Sequence, residues 1–276
     1  NDLMFADLHI HTDYSDGIHT PESIIKKSLE ANFTKIAITD HDIFLGNIEA
    51  SKIVKERDYN LEIIPGVEFS SFMKGKEIHI IGLFIDFNNL HISRLVDDLQ
   101  TKRKDTVKTI INHLNKQKIK ISYDEVLSLA KGSIGRPHIA HVLINHGYAS
   151  SVNEAFDRFI SSEILGKIRE PRLGIKEAIE VIKSAGGISI YAHPNINNKT
   201  FFNDLHELKT MGLNGIEVSS PRYGLSRQKE LLEISKKLKL INSGGSDFHG
   251  FHKGIEIDSN NGINQKEYEK LLRALK

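Results

Sequence analysis

Cysteine is absent from the 276-residue chain. Disulfides and thiolate metal sites are therefore excluded, and any bound metal must be held by histidine and carboxylates. A charge excess is missing too: 37 Lys+Arg against 36 Asp+Glu give a formal net charge of +1. That balance shows no global electrostatic footprint for nucleic acid, and leaves only a local basic patch open. No stretch approaches the ~18 apolar residues of a membrane span, and no signal-peptide pattern opens the chain. The cytoplasm is the expected compartment, with no membrane partner. Internal repeats, low-complexity segments and a nucleophile-elbow serine motif are missing as well. Nothing indicates a protein partner, and the oligomeric state stays open.

Hydrophobic content is 39% and charged content 26%, ordinary values for a chain that buries a core. The excess is histidine, at 14 residues, and the neighbours of those histidines carry the information. Residues 5–10 mix apolar and polar side chains as a short strand does. Leu8 and Ile10 then share one face, and Asp7, His9 and His11 the other. Two imidazoles two residues apart on one strand face can bind one metal ion. Asp16 follows in a turn marked by Ser15 and Gly17.

The first half alternates strand and helix. Thr20 and Pro21 open a helix over 21–31, as N-cap and first-turn proline. A strand at 35–39 ends at Asp40-His41-Asp42, and a helix covers 47–57. A strand at 61–65 ends at Gly66-Val67-Glu68, and one at 78–85 contains His79. The middle is helical: 92–116, 123–131, 136–145 and 153–160, with one further strand candidate at 120–122. Alternation then resumes, with helices at 175–185, 202–211, 226–238 and 265–275 and strands at 188–191, 215–218 and 240–243. Repeated strand–helix units favour a parallel sheet or barrel. The expectation is an α/β barrel over 1–276, one catalytic domain, with a helical insertion at about 99–165 capping its mouth.

Metal-type side chains recur at strand ends: His9 and His11, His41, Glu68, His193, and Asp247 with His249. His79 is the exception, early in its strand. Taken singly, each has an ordinary explanation as a loop, turn or wet-face residue. In α/β barrels, however, the carboxyl ends of the strands face one mouth, where sites are built. Independent surface histidines do not collect at so many strand ends.

These residues resemble the PHP family, named for polymerase and histidinol phosphatase. The matching motifs are His9-Ile10-His11 with Ser15-Asp16-Gly17, Thr39-Asp40-His41, Gly66-Val67-Glu68, His79, Ala192-His193-Pro194 and Gly245-Ser246-Asp247-Phe248-His249. The resemblance implies a distorted seven-stranded β/α barrel and three divalent metal ions. It implies one ion on His9, His11, Glu68 and Asp247, a second on Glu68, His79 and His193, and a third on Asp16, His41 and His249. Glu68, Asp247 and His193 become the expected catalytic residues. Manganese is the first expectation, and imidazole with carboxylate also suits zinc or iron. Residues 135–140, Gly147-Tyr148 and Ala155-Phe156 resemble the insertion of a bacterial PHP branch. That branch includes nucleoside 3′,5′-bisphosphate phosphatases and 5′-to-3′ exonucleases of short RNA.

The implied reaction is hydrolysis of phosphate esters in nucleotides or short 5′-phosphorylated RNA by metal-activated hydroxide. Other readings are a phosphatase for a small metabolite such as histidinol phosphate, and a non-catalytic metal-stabilised scaffold. Arg136 and His138 are the first candidates for substrate phosphate, since arginine offers a bidentate fork. Arg222 follows a strand end and is another; Arg169 and Arg172 can serve or be solvated. Asp40 can orient a ligand imidazole or hold a turn. Lys102-Arg103-Lys104 reads as a solvated helix face, and His252 as a loop residue.

Overall fold

The computed structural model describes residues 5–166, 168, 173–252 and 254–275; Arg169 and Arg172 lie outside them. The first stretch runs β1 (Ala6–Ile10), α1 (Pro21–Glu30), β2 (Lys35–Ile38), α2 (Leu45–Arg57), β3 (Glu62–Ile63), β4 (Gly66–Met73) and β5 (Lys76–Leu83). The helical middle comprises α3 (Leu90–Lys116), α4 (Tyr123–Leu129), α5 (Arg136–Asn145), α6 (Val152–Ala155), a π-turn (Phe156–Ile160) and α7 (Ser162–Leu165). The last stretch is β6 (Leu173–Gly174), α8 (Ile175–Ser184), β7 (Ile188–Tyr191), α9 (Phe201–Thr210), β8 (Gly215–Ser219), α10 (Leu225–Leu238), β9 (Ile241–Gly244) and α11 (Gln265–Arg273). Helix α1 starts as its sequence dictates: the Thr20 hydroxyl accepts the Ser23 N–H, with Pro21 in the first turn.

The strands form two ladders, β1-β2-β3 and β6-β4-β5-β7-β8-β9. Single bridges join them. On one side His41 pairs with Glu68, and on the other Ile10 pairs with Phe248. The Asp247 N–H donates to the His9 carbonyl at 2.8 Å, and the His11 N–H to the Phe248 carbonyl at 3.0 Å. Seven strands (β1, β2, β4, β5, β7, β8 and β9) therefore enclose a distorted ring, and the fold is the mixed α/β type expected.

One sequence expectation needs correction. Residues 66–73 are a strand in their own right, β4, not the exit from residues 61–65. It pairs antiparallel with β5 through a hairpin whose turn residues, Lys74 and Gly75, both have positive φ (51° and 77°). β5 also runs antiparallel to β7. The hairpin overshoots the ring: Glu68, early in β4, bridges to His41 beyond the end of β2. The carbonyl of His79 accepts the Ala192 N–H beyond the end of β7. His79 is thus early in its strand yet level with the other strand ends, because β5 runs the opposite way. Residues 120–122, the further strand candidate, do not form a strand.

Contrary to simple alternation, Leu8 and Ile10 do not share a face: Leu8 packs with Ile81, Leu83, Ile188 and Ile190 on the inward side of β5 and β7, Ile10 packs with Ile24, Ile25 and Ile38, and the register of β1 is irregular between Asp7 and Ile10. The amino half of α3 (Ile92, Val96, Leu99) joins the core beneath α8. Its carboxyl half (Val107, Ile110, Ile111, Leu114) builds a second core with residues of α4 to α7. The helical middle therefore has its own apolar interior. Among the described residues no helix is long and apolar enough to cross a membrane.

Candidate metal centre

His9 and His11 project from the inner face of β1 and are fully buried. The strand is pinned from behind. Asp7 Oδ1 accepts the backbone N–H of Ser246 at 3.0 Å and of His9 at 3.2 Å. Burial pushes the Asp7 carboxyl up to about 7. Glycine is required at 245, because a Cβ there would lie 2.5 Å from the His9 nitrogen. That close crossing carries Asp247 and His249 over β1. Asp247 (φ 53°) and His193 (φ 33°) both adopt the left-handed region, an uncommon and strained choice for non-glycine residues.

Glu68 is the hub. Its Oε2 lies 3.1 Å from His11 Nε2 and 3.3 Å from both His9 Nε2 and His41 Nδ1. Its Oε1 lies 3.0 Å from His193 Nε2 and 3.1 Å from His79 Nδ1. Five imidazoles converge on one buried carboxylate. Asp247 Oδ1 adds contacts of 3.3 Å to both His9 and His11. Asp16 meets His249 Nε2 at 3.2 Å and His41 Nε2 at 3.6 Å. All nine ligand candidates thus come together. They fall into overlapping sets able to hold an ion: His11, Asp16, His41 and His249; His9, Glu68 and His193; His9, His11 and Asp247; His41, Glu68 and His79.

The electrostatics follow from burial and from the partners. Burial pushes the Glu68 carboxyl up, but His9, His41 and His79 outweigh it and hold it well below the usual range. Asp247 is held down in the same way by His9, His11, His249 and His193, and Asp16 by His249, His41 and His11. His11 and His79 are each raised to about 10: burial opposes this, and the neighbouring carboxylates prevail. His41 goes the other way, to about 3, because burial dominates. Buried carboxylates so close together stay ionised only with positive charge beside them, and divalent cations held there would supply it.

The surroundings fit such ions. His9 Nδ1 sits 2.6 Å from Glu217 Oε2, His79 Nε2 2.9 Å from Glu77 Oε1, and His249 Nδ1 2.9 Å from the Asp247 carbonyl. When neutral, each ring donates its proton outward and turns its other nitrogen to the cluster, the usual arrangement of metal-ligating histidine. His9 Nε2 and His11 Nε2 are 3.1 Å apart, and among the described residues the buried Nδ1 atoms of His11 and His41 meet no hydrogen-bond partner in good geometry. Donor atoms at ~2.1 Å from a shared ion sit roughly 3.0–3.4 Å from one another, the spacing seen here.

A model of the PHP domain matches residues 7–167. A 5′-3′ exoribonuclease of Haemophilus influenzae is 32% identical over 257 residues, spanning 92% of this chain and 93% of that one. The chain belongs to the PHP family. A 3′,5′-nucleoside bisphosphate phosphatase of Chromobacterium violaceum is 25% identical to the PHP chain, over 90% of it and 88% of the relative. A structure from Bifidobacterium adolescentis, assigned as a metal-dependent phosphoesterase, superposes with a TM-score of 0.87. It is 28% identical and covers 98% of this chain and 96% of its own. These PHP relatives are hydrolases by name.

Around the PHP centre the remaining candidates take distinct places. Arg136 and His138 line the cavity beside Asp16, His41 and His79. The Arg136 guanidinium lies 5.5 Å from the Phe156 ring centre, with Nη1 3.2 Å from Ser162 Oγ. His138 accepts the Gly135 N–H at Nδ1 (3.1 Å), which leaves the proton of a neutral ring on Nε2. Arg222 Nε donates to Asp247 Oδ2 at 2.6 Å, so it adjoins the ligand set directly.

Of the two readings of Asp40 the turn role holds, and the reading of Arg103 changes. Asp40 touches no imidazole in hydrogen-bond range; it accepts from Thr12 N (2.7 Å), Thr12 Oγ1 (2.6 Å) and Ser15 Oγ (2.6 Å), and so fixes the loop between His11 and Asp16. Arg103 is buried, not solvated, and binds Asp42 through Nε (2.8 Å) and Nη2 (2.5 Å). Glu217 and Glu77 were not singled out in the sequence, where a carboxylate on a strand reads as a wet-face residue. Replacing Glu217 by glutamine is expected to weaken metal binding by roughly 10- to 100-fold. Titration of the stripped protein with Mn²⁺ checks this, and unchanged affinity would remove Glu217 from the orienting role.

Proposed function

We propose that the protein is a metal-dependent hydrolase of phosphate esters in nucleotides or short 5′-phosphorylated RNA. The observation that carries the reading is the buried Glu68 carboxylate within 3.0–3.3 Å of five imidazoles. His9, His11, Glu68 and Asp247 would hold one ion, Glu68, His79 and His193 a second, and Asp16, His41 and His249 a third. Manganese is the first candidate, and the donor set also suits zinc or iron. Divalent ions bound there supply Lewis-acid charge for phosphoryl oxygens and lower the pKa of water.

The chain's own side chains do the rest. Glu217 and Glu77 keep the imidazoles of His9 and His79 aimed inward. Arg136 and Arg222 offer planar donor forks to phosphate oxygens outside the metal set. His138 adds an imidazole N–H donor. The helical middle supplies Pro137, Val152, Asn153 and Phe156 to a cleft of about 320 Å³ over the cluster, within the range of small-ligand sites. We read that middle as a cap on a single catalytic barrel.

The test is a hydrolysis panel with Mn²⁺: adenosine 3′,5′-bisphosphate, AMP, short 5′-phosphorylated RNA and histidinol phosphate. Release of phosphate or mononucleotide from at least one of the first three, abolished by EDTA, is the expected result. Metal-replete protein inert on all three overturns the proposal. Preference for histidinol phosphate would move the assignment to a small-metabolite phosphatase.

A further inference from the structure

The metal ligands and arginines account for the floor of the cleft but not for its walls. One wall carries Phe156, the first residue of the π-turn. The facing loop, which follows His249, contributes Phe251 and His252 to the same cleft. All three rings are part-exposed. Their surroundings hold them in place. The Arg136 guanidinium lies over Phe156, and Phe251 packs 4.4 Å from His252 and 5.6 Å from His249, centre to centre. A π-turn inside a helical run is rare and recurs at functional sites; here it ends α6 and sets Phe156 at the cleft.

The cleft therefore has two chemistries at two depths. Its floor holds Glu68 and Asp247 with Arg222 beside them, the place for a phosphoryl group. Its walls offer aromatic faces, which a phosphate or a bare sugar phosphate cannot use. A planar base linked to the phosphoryl group through a ribose can use them, because every base has a π-face. Arg136 lines the adjoining cavity beside Asp16, His41 and His79 and lies over the Phe156 ring.

We propose that Phe156, Phe251 and His252 form a nucleobase subsite that makes the enzyme select nucleotides over baseless sugar phosphates. The proposal rests on the phosphoester-hydrolase reading and adds the part of the substrate that is recognised. Stacking on such a platform contributes about 5- to 150-fold in affinity per base.

The test is a binding measurement on the Mn²⁺-loaded protein, so that it stands apart from turnover. The probes are the non-hydrolysable phosphonate analogues of AMP and of ribose 5-phosphate, titrated calorimetrically. The adenosine compound is expected to bind at least fivefold more tightly. Phe251→Leu and Phe156→Leu keep apolar volume and remove the π-face. Each is expected to weaken the adenosine compound about 5- to 50-fold; Phe251→Leu is expected to leave the ribose compound unchanged, and Phe156→Leu, whose ring also supports Arg136, to weaken the ribose compound less than the adenosine compound. Equal affinity of the two probes for the wild type overturns the subsite, as does equal weakening of both probes in the variants. Selective binding of the adenosine compound by a protein that hydrolyses no phosphoester would uphold the subsite and refute the catalytic reading instead.

Discussion

Replacing Glu68 by alanine is expected to reduce hydrolysis on the order of a thousandfold or more and to lower bound metal by at least one equivalent. The reason is geometric. Both carboxylate oxygens are engaged, Oε2 by His9, His11 and His41, and Oε1 by His79 and His193. Among the described residues neither neighbouring carboxylate can take over both sets, because of these five imidazoles Asp247 meets His9 and His11, Asp16 meets His11 and His41, and neither is in contact with His79 or His193. Loss of the charge also leaves fewer anions against the same number of imidazoles, so a dication gains less on entry. Glu68→Gln keeps the shape and lacks the charge. It separates the two contributions: activity near that of the alanine variant makes charge the deciding factor. Elemental analysis after dialysis and kcat at saturating Mn²⁺ are the measurements, with circular dichroism as the control for folding. Hydrolysis within tenfold of wild type would contradict a bridging role for Glu68.

The centre was legible because it is written in strand grammar. Alternation along β1 places His9 and His11 on one face, and the remaining ligands punctuate later strand ends or the loops just beyond them. His79 broke the pattern only because strand direction is not visible in a local stretch of sequence. Strand β4 was obscured for a related reason. Ser70 and Ser71 interrupt its apolar run, yet both are buried: Ser71 donates to the Ile78 carbonyl, and Ser70 meets Arg103. Glu217 and Glu77 acquire their roles from imidazoles 208 and two residues away in sequence, His9 and His79. Nothing local marks Glu217, whereas Glu77 shares a strand face with His79 and alternation could have marked it. Arg103 is different, because a signal was there. Val96, Leu99, Arg103, Val107 and Ile110 follow the three-and-four spacing of one buried helical stripe, and Arg103 is the charged member of it. The flanking Lys102 and Lys104 masked that phase.

Arg103→Met is expected to destabilise the fold by about 3–5 kcal/mol, the range for removing one partner of a buried ion pair. Asp42 and Arg103 are both nearly inaccessible, and the variant removes this arginine from the buried Asp42 carboxyl. The pair also sits where the two cores meet. Along α3, Leu99 belongs to the barrel core and Val107 to the core of the helical middle, with Arg103 between them. From there Nη2 reaches Ser70 Oγ (3.2 Å) on β4, and Nη1 reaches the Ile134 carbonyl (3.4 Å) just before Gly135 and Arg136. Gln100, one turn earlier, donates to the Asp42 carbonyl at 2.6 Å and to Ser133 Oγ at 3.2 Å. One buried network thus ties the loop after His41 to the loop that presents Arg136 and His138. Its loss should lower the unfolding midpoint by roughly 6–20 °C and raise KM more than it lowers kcat, since the loop carrying Arg136 and His138, proposed to bind phosphate, is freed while the ligand shell stays. Adding Asp42→Asn to Arg103→Met removes the stranded carboxyl and is expected to recover most of the stability but not the KM. Thermal unfolding and steady-state kinetics on the two variants decide it. A cost below about 1 kcal/mol for Arg103→Met, in the range of an exposed pair, would show that the network does not clamp the helical middle to the barrel.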